Sequence, residues 1–95
     1  MPLFVAKHEH SADTCPAGNA EVAPMLAQHV SPQNAAEFGL NLQAEAVIDQ
    51  GHTLYLIVEG DRERVEQFMT PFANFGSVEV LPASRCEQVV ARAAC

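Results

Sequence analysis

The chain has 95 residues, enough for one domain and one small core. Hydrophobic residues make up 48% and charged residues 18%, which excludes intrinsic disorder, and no apolar run approaches the roughly 18 residues of a membrane span. The formal net charge is −7 with five Lys+Arg, so a basic footprint for nucleic acid or an anionic membrane is absent, while cationic or neutral partners and metal cations remain.

The start of the chain, Met1 to His8, has no basic n-region and too short an apolar stretch for a signal peptide. This sets the expectation of a cytoplasmic protein. Three cysteines are an odd number, so a closed internal disulfide framework is excluded. In a reducing compartment such thiols are packed, ligating or catalytic more often than bridged.

Leu3 to His10 reads as a strand. Phe4, Ala6, His8 and His10 share one face, and Leu3, Val5, Lys7 and Glu9 the other. Ser11 to Asn19, with Pro16 and Gly18, reads as a loop. Val22, Met25, Leu26, His29 and Val30 follow helical spacing and predict a helix with one buried stripe. Ser31-Pro32 is an N-cap followed by proline at the first helical position, so a second short helix runs to Phe38 and ends at Gly39.

Leu40 to Asp49 and Thr53 to Val58 read as a hairpin around Gln50-Gly51, with His52 opening the second strand. Val65, Phe68, Met69 and Phe72 mark another helix starting near Gly60-Asp61, which Pro71 should kink or shorten. Gly76 closes it. Ser77 to Leu81 is the last core strand, with Pro82 as its stop. The tail, 86–95, carries Val89 and Val90 and reads as either strand or helix.

The order is β-α-β-β-α-β plus a tail. That is the ferredoxin-like arrangement, an α+β fold in which residues 1–95 make one domain and the helices cover one sheet face. The third strand is apolar on both sides: Leu54, Leu56 and Val58 line one, Tyr55 and Ile57 the other. A strand apolar on both faces needs a second cover. The element order and this strand resemble the dimeric α+β-barrel superfamily, whose members pair two ferredoxin-like sheets. The resemblance covers most of the chain and implies the fold and a homodimer through the sheet. It implies no particular activity.

The chemistry-bearing run is His8-Glu9-His10-Ser11-Ala12-Asp13-Thr14-Cys15, an H-x-H-x₄-C pattern. Two imidazoles two residues apart on a strand point the same way, and Cys15 can fold back from the loop. Nitrogen and thiolate ligands suit zinc first, then copper, nickel or iron, and not Mg²⁺ or Ca²⁺. In the ferredoxin-like sheet the end of the first strand lies beside the start of the third, which adds His52. The candidate metal ligands are therefore His8, His10, Cys15 and His52. His29, on an apolar helix stripe, reads as a packed histidine before it reads as a ligand.

Cys86 and Cys95 bracket the tail. They are too widely spaced for a metal knuckle and admit three readings: a short-loop disulfide, two unconnected thiols, or a tail that doubles back along the fourth strand toward His8 and His10. Asp61, Arg62, Glu63, Arg64 and Glu66 form a solvated helix face. Two further functions stay open beside metal binding. One is a metal-free enzyme or ligand-binding module, with His8 or His10 as acid–base group and a cavity lined by Phe4, Leu54, Leu56 and Phe68. The other uses Cys15 as a thiol redox centre or nucleophile, with Cys86 or Cys95 as its redox partner.

Overall fold

A computed structural model describes residues 1–95. The elements run β1 (Leu3–Glu9), α1 (Ala23–His29), α2 (Pro32–Glu37), β2 (Asn41–Val47), β3 (Thr53–Glu59), α3 (Arg62–Met69), β4 (Ser77–Ala83) and α4 (Cys86–Arg92). The four strands form one antiparallel sheet in the order β2-β3-β1-β4, compatible with the ferredoxin-like arrangement. No helix is long and apolar enough to cross a membrane.

Local chemistry accounts for most boundaries. The Ser31 hydroxyl accepts from the Asn34 N–H at 3.1 Å, and Pro32 opens α2. Gly39, at φ +74°, ends the helical crossover where an L side chain would be strained. Pro71 cannot continue the hydrogen bonds of α3, and the chain tightens into a 3₁₀ segment, Thr70–Asn74. The loop after β1 holds two single 3₁₀ turns, Ala12–Thr14 and Pro16–Gly18.

Two sequence expectations need correction. Pro82 does not stop the last strand, which continues to Ala83 with Pro82 opposite Phe4. β4 is an edge strand, so a proline nitrogen facing outward forfeits no ladder bond. The α1 stripe is also not fully buried. No residue of α1 is buried, Leu26 and Val30 only rest against the core, and Met25 is 69% exposed. The tail resolves as a helix, α4, with no buried residue, so it does not double back as a strand along β4.

The core lies between the sheet and α3. Phe4 and Ala6 of β1, Leu54, Leu56 and Val58 of β3, and Val80 of β4 pack with Val65, Phe68 and Met69 of α3. His29 fastens α1 to this core. Its Nε2–H donates to the Phe68 carbonyl at 2.6 Å, its Nδ1 accepts from the Asn34 amide at 3.0 Å, and its ring stacks on Phe68 at 4.5 Å. Both nitrogens are occupied, so His29 is a packed histidine.

On the opposite sheet face Ala44, Ile57, Val5 and Leu81 stand in one row across all four strands. Leu81 is 44% exposed. Asn41 donates to the Glu59 carboxylate at 3.0 Å, and Gln43 bridges Glu59 and Arg85. This polar chain ties the segment after β4 to β2, the far edge of the sheet.

Gly76 is required by close approach. A Cβ there would collide with the Glu9 carbonyl oxygen and come within 2.9 Å of the His10 Cα. Both neighbours are backbone and cannot swing aside. Gly76→Ala should therefore cost about 1–3 kcal/mol in urea denaturation. Gly18→Ala, which meets open space, should change stability by no more than about 0.5 kcal/mol. Equal stabilities for the two variants would contradict this account of the β1–β4 junction.

Candidate metal centre

The β1–β3 ladder closes with Glu9 opposite Thr53, and one further bond, His10 N–H to the His52 carbonyl at 3.1 Å, extends it. That bond sets His10 and His52 side by side, with ring centroids 5.2 Å apart and edge to face. Strand alternation puts His8 on the same side as His10. His8 is 1% exposed, at the end of the core face, beside Phe72.

The protons of these rings follow from their partners. His8 Nδ1 lies 3.2 Å from the Ser77 carbonyl, which can only accept, so Nδ1 carries the hydrogen. Neutral His8 then offers a bare Nε2. His10 Nδ1 lies 3.2 Å from that atom and must be its donor. Neutral His10 in turn keeps a bare Nε2. This atom is buried and has no hydrogen-bond partner. A buried acceptor left alone is costly, and its lone pair is what a metal requires.

Both rings are held neutral. Burial pushes the His8 pKa below the usual histidine range, a positive charge on His10 would push it further, and the Ser77 carbonyl opposes them. Burial likewise lowers His10, with the neighbouring His52 adding to the effect. Neutral imidazole is the ligating form.

Cys15 arrives from the loop. The Thr14 hydroxyl donates to the Phe75 carbonyl at 3.0 Å, which pins the loop to the turn before β4. Pro16, the next residue after Cys15, is buried and anchors the other side. As a result His10, Cys15 and His52 each present a ligand atom, all within 4.8 Å of one another. Around a tetrahedral zinc such atoms sit roughly 3.3–3.8 Å apart. Closure by about an ångström brings the three onto one ion. This His/Cys group can hold a metal.

His8 stands outside the three and behind His10, which it orients. Sequence alternation put His8 and His10 on one face but did not show which of them groups with Cys15 and His52. It also missed Thr14, Gly76 and the Ser77 carbonyl, whose roles depend on contacts across the fold. Cys86 and Cys95 are exposed and belong to no metal-binding group; all three thiols are free.

The cluster forms part of the wall of a cavity of about 520 Å³. Leu26, Ala27, Val30, Val47, Leu54 and Phe72 supply most of its apolar lining. Glu45 also faces it. α1 is the roof, which explains why its stripe is not fully buried.

His52 has φ +53°, in the left-handed region that non-glycine residues rarely occupy. That conformation costs about 1–2 kcal/mol for an L residue, and such strain concentrates at functional sites. His52→Gly should raise the urea midpoint of the metal-free protein, by about 1 kcal/mol of stability, while removing one ligand. A stability loss in that variant would show that His52 contributes packing rather than strain.

No protein-family model, curated protein or solved structure matches the chain.

Proposed function

We propose that this chain is a transition-metal-binding protein. Its ligands are His10 Nε2, Cys15 Sγ and one nitrogen of His52, and His8 is the positioning residue for His10. One observation carries the reading: the buried, partnerless Nε2 of His10, kept bare by the Ser77–His8–His10 chain, on a residue that groups with Cys15 and His52. Two imidazoles and a thiolate favour zinc, with copper, nickel and iron next. Three protein ligands leave a fourth position open, the arrangement of sites that work on small molecules rather than of closed structural sites. A zinc ion so held acidifies a bound water or polarises a bound donor group.

The test is chelator competition on protein purified without an affinity tag, with stoichiometry from elemental analysis. Wild type should bind about one equivalent of zinc. His10→Ala, Cys15→Ser and His52→Ala, shown folded by circular dichroism, should each lose at least roughly 100-fold in affinity. His8→Leu should lose about 10–100-fold, the usual cost of removing a group that orients a ligand. Wild-type affinity in both His10→Ala and Cys15→Ser would overturn the assignment.

We also propose that two copies pair through the open sheet face. The row Ala44–Ile57–Val5–Leu81 supports it, because an apolar row spanning the whole sheet loses least when another such row covers it. Sedimentation equilibrium at micromolar concentration should give twice the 10.2 kDa chain mass, and Ile57→Glu should halve it. A wild-type mass of 10.2 kDa would refute the pairing.

A further inference from the structure

The β2 strand contains an irregularity that changes what the cavity sees. Leu42 pairs with Val58, but the next pair is Ala44 with Ile57, so Gln43 is a bulge residue. Beyond it Glu45 pairs with Leu56 and Val47 with Leu54. Leu56 and Leu54 both point into the core. Without the bulge, Ala44 and Ala46 would follow Leu42 onto that face. The extra residue instead puts Glu45 on that face, where, on the edge strand, it lines the cavity mouth and stays exposed to solvent. Bulges of this kind re-aim side chains and are frequent beside functional sites.

The ion pairs of the chain are Lys7–Glu9 and Arg62–Glu66, so no cation neutralises Glu45. It lines the same cavity as His10, Cys15 and His52. Between them lies an apolar wall under a helix whose stripe is only half covered. Leu26 and Val30 would gain cover from an occupant. The volume, about 520 Å³, falls within the range of small-molecule sites.

From these observations we infer that the cavity is a binding site for a small uncharged molecule with a metal-donor atom at one end, an apolar body, and an N–H or O–H directed at Glu45. The inference rests on the metal-site reading above. Charge balance selects the class. A divalent ion with one thiolate carries +1, Glu45 carries −1, and the walls between are neutral. A neutral donor molecule matches both ends, whereas a carboxylate that satisfied the metal would meet Glu45 as a like charge in a chain already at −7.

The probe is 4-(imidazol-1-yl)phenol, which has a donor nitrogen at one end, an aromatic body and an O–H at the other. Benzoate is its anionic counterpart. Each is titrated into Co²⁺-loaded protein, with the visible cobalt bands reporting the open position and the thiolate-to-cobalt band reporting that the ion stays bound. The azole should shift the visible bands at concentrations at least about tenfold below those benzoate needs. Glu45→Gln should weaken the azole about tenfold, the usual worth of a hydrogen bond to a charged group, and narrow its advantage over benzoate. Cobalt uptake with no azole response, or an azole response indifferent to Glu45→Gln, overturns this inference and leaves the metal site standing. Failure to take up cobalt at all overturns the metal site and this inference with it.

Discussion

The Ser77 carbonyl determines the proton arrangement of His8 and His10. It can only accept, so it fixes the His8 hydrogen on Nδ1, and His8 in turn fixes the hydrogen of His10. The bare Nε2 of His10 is the end of that chain. Ser77 begins β4 and His8 lies in β1, so sheet pairing itself holds His8 in the tautomer whose bare Nε2 accepts from His10. Gly76 permits the approach, because any side chain there would push β4 away from the Glu9–His10 backbone.

The fold divides its two helical covers between stability and space. α3 closes on the sheet with Val65, Phe68 and Met69 fully buried. α1 is held at its end, through His29 and the Phe68 carbonyl, and elsewhere bridges the cavity. A helix seated flush would fill that space and bury Leu26 and Val30. The cost of leaving it open is lost apolar contact, the kind of local sacrifice found at functional sites. The left-handed backbone of His52 is a second such sacrifice at the same end of the sheet.

Much of this was legible in the sequence, and the gaps have physical causes. Alternation in β1 aligned His8 with His10, and antiparallel pairing brought His52 to them, because both follow from strand geometry alone. The ranking of His8 against His10 was not legible. It depends on a carbonyl 69 residues away in the chain. Glu45 was hidden for a sharper reason. Leu42, Ala44 and Ala46 alternate as if β2 were regular, so the pattern conceals the bulge that reverses it. Helical spacing in α1 gave the apolar stripe but not whether anything fills the space beneath it. Pro82 read as a stop because its neighbours cannot reveal that β4 lies at an edge.

The most direct test of the central claim is a long-range ¹H–¹⁵N correlation spectrum of the histidine rings, recorded without metal and with one equivalent of Zn²⁺. The account predicts His8 and His10 both as Nδ1–H tautomers in the metal-free protein. On zinc addition the His10 Nε2 and one ring nitrogen of His52 should shift strongly while His8 keeps its tautomer. An Nε2–H tautomer for His10, or zinc that leaves the His10 and His52 rings unmoved, would contradict it.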